Sequence, residues 1–483
     1  MQFRHGLRTN EIDSGEKTYL SAKAPIVVLG AAPINMGDLT CVNQPVLIQN
    51  IAEATKYFGG VNKIEGFNIS EVLYSAFQLF GVAPVLCINV LDPKKHKEAV
   101  ILENLFMKNK TIKIRQTGIL PKLNQVTSMV PVTRALEGGI AYEVSYDENG
   151  YLDIHFETDI PDPMAVSFTR LKPELVTPQD IIGKVDIKTL KKEGLELIDD
   201  IFTKFSVIPG VGIAPGYTQD NELRTIMNTK FQAVNGGKWK SIIVADIPEN
   251  VEYGEAIKWK KDNNAIDPEQ ILGYGMGVLG NNILHLSTLV ACELLRGDAV
   301  NGGVPCDSPS NKSAKVSKIV YKDKNGIYQD LNLDEKQAEL LNENGIITAI
   351  QTPGGFVLWG NRTSAFQPGG TTEKKDIWIH AKRLIQFICN TIAMNNQNEV
   401  DAKMTPMRAG AIRDSINQWL ASLKAEEKIS GARVEFRAID NPGENIAGGK
   451  FVWYIVHGDV PIGENLEFNV KNSSEFIVET YVI

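Results

Sequence analysis

Gly210, Gly212 and Gly216 follow the apolar run Phe205–Ile208 and precede a helix-like stretch, and Asp246 ends the next strand-like run. In that order they outline a dinucleotide site, where glycines admit pyrophosphate to a helix N-terminus and an acid reads the ribose. The spacing is Gly-x-Gly-x-x-x-Gly, and Pro209 and Pro215 remove backbone donors where phosphate needs them. A tight structural turn fits these residues better. The later series Gly273, Gly275, Gly277 and Gly280 lacks the lysine of a P-loop and fits phosphate less well still.

The remaining reactive residues do not assemble into a known pattern. Six histidines (His5, His96, His155, His285, His380, His457) are dispersed without H-x-x-x-H or H-E-x-x-H spacing. Five cysteines (Cys41, Cys87, Cys292, Cys306, Cys389) form no C-x-x-C pair and read as reduced, mostly buried thiols. There is no G-x-S-x-G elbow, and no carboxylate pair marks general acid–base work. The residues assign no catalytic, metal or cofactor role, and no cofactor is expected.

Two features invite interaction chemistry instead. Between Lys374 and Arg413, seven basic residues (Lys374, Lys375, Lys382, Arg383, Lys403, Arg408, Arg413) face three acidic ones (Asp376, Glu399, Asp401), a local net of +4. The chain as a whole carries −8. A solvated helix face is one reading of this stretch; a surface that docks on an acidic partner is the other. At the C-terminus, Glu475–Ile483 alternates Phe476, Val478, Thr480 and Val482 with Ile477, Glu479, Tyr481 and Ile483. Such a strand either closes its own sheet or adds to the sheet edge of a neighbour.

The elements that must carry these residues suggest several domains for 483 residues. Composition is ordinary for a globular chain, with 43% hydrophobic and 22% charged residues. The acidic balance supplies no global field for nucleic acid or anionic lipid. Met1–Lys23 has no apolar core, so no secretory signal is expected; it reads as an extended arm able to reach roughly 70–80 Å. Residues 24–93 alternate strand and helix patterns, as in a partly parallel sheet covered by helices. Residues 94–204 alternate at period two, with Asn149-Gly150 as a hairpin signal, and read as an inserted β-rich domain.

The α/β texture returns over 205–366, with a helix expected near Asn221–Val234 and another near Asn281–Leu295. The uncharged run Gln270–Cys292 is interrupted by four glycines, Asn281, Asn282 and His285, so it reads as a glycine-rich loop feeding a buried helix. Gln367-Pro368-Gly369-Gly370 marks a boundary. Residues 367–474 then contain two helices, the second opening at Thr405 and Pro406, plus a small sheet, and 475–483 form a terminal strand arm.

The fold class expected is therefore α/β and α+β multidomain: an α/β core, an inserted β-rich domain, a C-terminal α+β domain and extended terminal arms. Taken in order, several motifs resemble the tail sheath proteins of contractile-tailed phages and R-type bacteriocins. They are Pro25-Ile26-Val27-Val28-Leu29-Gly30-Ala31-Ala32-Pro33, Pro45-Val46-Leu47-Ile48, Phe58-Gly59, Ile208-Pro209, Ala214-Pro215-Gly216 and Ala245-Asp246-Ile247-Pro248. More specific are Leu358-Trp359-Gly360-Asn361-Arg362-Thr363, Asp376-Ile377-Trp378-Ile379 with Lys382-Arg383, Asn417-x-Trp419-Leu420, and Pro461-x-x-x-x-Leu466-x-Phe468. The resemblance spans nearly the whole chain.

It implies a non-enzymatic structural subunit that polymerises as stacked hexameric rings around a tail tube and contracts to drive the tube through a cell envelope. Implied partners are further copies of the chain, the tail tube protein, and baseplate and tail-terminator proteins, with no nucleic acid and no membrane. Assembly in a host bacterial cytoplasm is implied too. On this reading Lys382, Arg383, Arg408 and Arg413 are candidates to face the tube. Phe476, Ile477, Val478, Glu479, Thr480, Tyr481 and Val482 are candidates for a strand between subunits. The competing expectation is a cytosolic α/β nucleotide-using enzyme built on the Gly210 loop.

Overall fold

A computed structural model of the chain describes residues 19–21, 24–129, 140–370 and 372–474. Its centre is a six-stranded sheet in the order Gln270–Gly273, Ile242–Asp246, Val211–Ile213, Ile26–Gly30, Val85–Asn89, Pro45–Ile48. Neighbours are parallel except Pro45–Ile48, which runs antiparallel to Val85–Asn89. The strands Ile26–Gly30, Val85–Asn89 and Ile242–Asp246 are buried at every position. Continuous β-branched and aliphatic runs form such strands because helices cover both faces of the sheet. The chain leaves Ile26–Gly30 first to one side and later returns on the other, so the carboxyl ends of Ile26–Gly30 and Val211–Ile213 border a topological switch point.

The inserted unit holds two three-stranded antiparallel sheets. One is ordered Lys97–Leu105, Met164–Leu171, Gln125–Ser128, and the other Thr111–Ile114, Leu152–Phe156, Tyr142–Tyr146. Period-two burial of Leu152, Ile154 and Phe156 and of Met164, Val166 and Phe168 fills a separate apolar cluster between them. The Asn149-Gly150 turn closes Tyr142–Tyr146 onto Leu152–Phe156, with Gly150 at φ +76° and its amide bonded to the Asp147 carbonyl at 2.9 Å.

Residues 173–204, assigned to the insertion from sequence texture, pack elsewhere. Val176, Ile181, Leu195, Leu197, Ile198 and Ile201 join the large cluster around the six-stranded sheet. These short helical turns lack the strand periodicity of the unit they follow, and the core offers their apolar side the larger burial.

The uncharged run differs from its expected form as well. Gln270–Gly273, Met276–Leu279 and Asn282–His285 are strands, and the helix runs Leu286–Val300 rather than from Asn281. Glycine here permits sheet-to-helix contact: a Cβ on Gly277 would sit 2.7 Å from both Leu289 Cδ1 and Val316 Cγ1.

The C-terminal unit contains helices Ile379–Asn395 and Pro406–Ala425 and a two-stranded sheet of Ile429–Glu435 with Tyr454–Asp459. Thr405 caps the second helix through the Arg408 amide at 3.2 Å, and Pro406 occupies its first turn. Leu384, Phe387, Ile388, Ile416, Trp419 and Leu420 form this unit's cluster. Ile379, on the first of these helices, belongs instead to the core cluster.

Candidate functional site

The glycine loop lies at the switch point, where α/β sheets commonly hold ligands. Its glycines serve packing. A Cβ on Gly210 would lie 2.4 Å from the Ala24 carbonyl oxygen, and one on Gly212 would lie 2.4 Å from the Phe231 ring. Above the strand ends, Asn68 accepts from the Ala31 amide at 2.8 Å and donates to the Leu29 and Pro215 carbonyls at 3.0 and 3.2 Å. That side chain occupies the space a pyrophosphate would need beside Gly30.

Asp246 reads no ribose. It accepts from the Ser287 amide at 2.8 Å and the Ser287 hydroxyl at 2.5 Å, and burial pushes its pKa up to about 6. Glu71 accepts from the His285 amide at 2.7 Å, the His285 ring Nδ1 at 3.0 Å and the Thr288 hydroxyl at 2.8 Å. Burial opposes charge on both partners. The attraction between them outweighs it, holding Glu71 below its ordinary value and raising His285 to about 9. Two carboxylates thus cap the Leu286–Val300 helix, where the helix dipole favours negative charge. The adjoining cleft of about 850 Å³ is also lined by Glu65, Glu174 and Glu249. An arrangement of this sign repels phosphate and clamps elements together.

The basic stretch does not present one cationic face. Lys382 is buried and bridges Glu269 at 2.5 Å and Asp376 at 2.8 Å. Arg383 is buried and holds Asp298 with two bonds of 2.9 and 2.5 Å. Arg408 pairs with Glu399 at 2.7 Å and Arg413 with Asp414 at 2.8 Å, both partly exposed. The first two therefore cannot steer a partner from the surface. They rivet the Ile379–Asn395 helix to the core, as do Gln386 on the Ser241 carbonyl at 3.1 Å and Asn390 on the Lys240 carbonyl at 2.7 Å.

In the C-terminal unit each strand of the two-stranded sheet has one ladder partner, leaving an outer edge on both sides among the described residues. Beyond it Leu466, Phe468 and Val470 are strongly exposed at period two. The strand candidates Phe476, Ile477, Val478, Glu479, Thr480, Tyr481 and Val482 lie outside the described residues, as does most of the N-terminal arm. The arm's end is pinned here: Tyr19 stacks on Trp419 with centroids 5.4 Å apart, and the Leu20 amide bonds Asn395 Oδ1 at 3.0 Å.

Sequence reasoning missed the Glu71–His285 clamp, because His285 stood out only as a polar interruption. It also missed an apolar groove between Ile392 and Trp453; the helical spacing of Ile412 and Ile416 signalled burial but not an open side.

Comparison with known proteins bears on what such a body does. No family model matches the chain. The tail sheath protein of Burkholderia phage BcepMu is 24% identical over 501 aligned residues, covering 99% of this chain and 98% of that one. Among solved structures, the contracted PVC sheath complex of an extracellular contractile injection system matches with a TM-score of 0.59 at 11% identity, covering 99% of each chain. The contracted helical sheath of the anti-feeding prophage (AFP) matches with a TM-score of 0.57 at 14% identity, covering 98% of this chain and all of that one. The fold is that of these sheath proteins, and the nucleotide-enzyme reading draws no support from them. Among the described residues no helix is long and apolar enough to cross a membrane.

Proposed function

We propose that this chain, a homologue of phage tail sheath proteins, is the repeating subunit of a contractile sheath. It assembles with further copies as stacked hexameric rings around a tail tube, and contraction of the lattice drives the tube through a target cell envelope. The observation that carries this reading is the end-to-end match to a tail sheath protein, 99% of one chain against 98% of the other. A match of that extent includes the terminal segments as well as the core.

The physical features agree with such a role. A contracting lattice needs connections that survive while its bodies slide and rotate, and added strands supply backbone bonds without fixing the angle between bodies. The open edges of Ile429–Glu435 and Tyr454–Asp459 offer that chemistry to Glu475–Ile483 of a neighbour. A two-stranded sheet is marginal alone, and further strands would complete it. Energy stored in a metastable lattice replaces catalysis. The inserted β unit projects from the outer face, and assembly in a bacterial cytoplasm precedes release in a phage tail or bacteriocin particle. Tube and baseplate proteins are the remaining partners, and Arg408 and Arg413 are left as the cations able to face a tube.

Electron microscopy of the purified full-length chain tests the reading. Striated cylinders are expected, in extended or contracted form. Discrete monomers at every concentration, with and without tube protein, would overturn it.

A further inference from the structure

Residues 184–193 form a narrow hairpin that stands away from the core. Its neck is closed by Gly183 at φ +68° and Gly194 at φ +57°, and a Cβ on Gly183 would fall 2.0 Å from the Glu193 carbonyl oxygen. Backbone bonds run from Glu193 to Lys184 and from Asp186 to Lys191, both 2.9 Å, and from Leu190 to Asp186 at 2.7 Å. At the tip the Asp186 carboxylate accepts the Lys188 and Thr189 amides at 2.8 Å each. The turn is therefore ordered by its own bonds.

Ile187 is nevertheless 91% exposed and Leu190 75% exposed. Lys184, Lys188 and Lys191 around them are exposed too. Two aliphatic side chains held in water on a preformed turn gain by burial and lose little conformational freedom when they dock.

A complementary surface exists on the same chain. The groove between helices Ile379–Asn395 and Pro406–Ala425 and the segment before Tyr454 has a volume of about 740 Å³. Its walls include Ile392, Met404, Ile412, Phe451 and Trp453, and Glu399 and Asp401 stand on its margin. Two further clefts among the described residues fit less well. The one of about 850 Å³ at the sheet ends has carboxylates but a mainly polar lining that offers Ile187 and Leu190 less apolar wall, and the one of about 570 Å³ beside Ile51 and Phe77 has no carboxylate.

We propose that the hairpin tip of one copy docks in this groove of a second copy, with Ile187 and Leu190 entering the apolar walls and the lysines facing Asp401. The tip of a chain does not fill its own groove, since Ile187 is exposed, so the contact runs between copies. It joins two different patches, a heterologous contact of the kind that propagates into rings or helices. The inference rests on the reading of the chain as a polymerising subunit and supplies one contact that links the copies.

The test uses two full-length variants, Ile187→Cys and Val400→Cys, mixed under mild oxidation at concentrations below and above assembly. Val400 lines the groove and is itself exposed. A disulfide joining position 187 of one chain to position 400 of another, identified by peptide mass spectrometry, is expected. The double variant Ile187→Asp/Leu190→Asp should raise the concentration needed for assembly about tenfold or more while its thermal melt stays unchanged. Reversing Asp401→Lys should weaken assembly, and adding Lys188→Glu should recover part of the loss.

Cylinders that form normally from the double Asp variant and show no cross-link would overturn the docking while leaving the sheath reading intact. A cross-link without cylinders would support the docking and remove the sheath reading. Capture of Val400→Cys by a cysteine placed at Leu7 of its own chain, in preference to position 187, would assign the groove to the N-terminal arm and overturn the proposal. So would binding to anionic phosphatidylserine vesicles that the Asp substitutions abolish while assembly is unaffected.

Discussion

The inserted β unit and the C-terminal unit attach to the same core in opposite ways. The insertion carries its own apolar cluster, and its joint to the core is lighter: Asn35 donates to the Ile119 carbonyl at 3.1 Å, Gly150 rests near Ile64 and Met36, and Leu171 and Leu120 reach the core cluster. The C-terminal unit shares a helix with the core, and buried ion pairs from Lys382 and Arg383 cross the joint. A unit of the first kind moves or disappears without dragging the core. One of the second kind transmits force into it. In a sheath, load taken up by the C-terminal sheet would pass through the Ile379–Asn395 helix to the body of the subunit.

Deletion breaks this comparison most directly. Replacing residues 97–170 by a short linker, which keeps Leu171 in the core cluster, should leave the core folded, with one cooperative melt near that of the full chain. Extending the deletion to residue 204 removes Ile181, Leu195, Ile198 and Ile201 from the core cluster and should leave no cooperative melt. Equal outcomes from the two deletions, read by differential scanning calorimetry, would erase the distinction.

Next in size is the C-terminal rivet. Arg383→Met leaves Asp298 buried without its partner and should cost about 3–5 kcal/mol in urea unfolding. Arg413→Met, at an exposed pair, should leave the urea midpoint close to that of the full chain.

The clamp inside the core gives a pH signature. The folded pKa of His285, about 9, lies above its ordinary 6.5, so its contribution is complete below 6.5 and fades as pH rises through 9. Glu71 is shifted the other way, and its share is present above its ordinary 4.5 and fades as pH falls. The stability gap between the full chain and His285→Gln should therefore be widest near pH 6 and narrow toward pH 10. A gap that grows with pH would refute the assignment.

The smallest effect expected is at the helix cap. Thr405→Ala should cost about 1 kcal/mol and act on the C-terminal unit, without shifting the melt of the insertion.

Much of the fold was legible because it is local. The buried strand runs, the Asn149-Gly150 turn and the Thr405–Pro406 helix start each depend on residues a few positions apart, and each appears where the sequence places it. Legibility ended where partners are distant. A net of +4 between Lys374 and Arg413 suggested a free basic face, yet Arg383 meets Asp298, 85 positions upstream, and Glu71 meets His285 across 214 positions.

Residues 173–204 show the same limit for apolar groups, since period and hydrophobicity mark a side chain for burial without saying in which cluster. Sequence alone determined the buried strand runs, the Asn149-Gly150 turn and the Thr405–Pro406 helix start, because backbone preference and capping act within one or two turns, whereas the strands at Met276–Leu279 and Asn282–His285 exist through their pairing. Tertiary structure alone decided which charges are neutralised inside and which apolar side chains stay in water. A buried charge needs an opposite charge or donors within about 4 Å, and only the folded chain sets that distance.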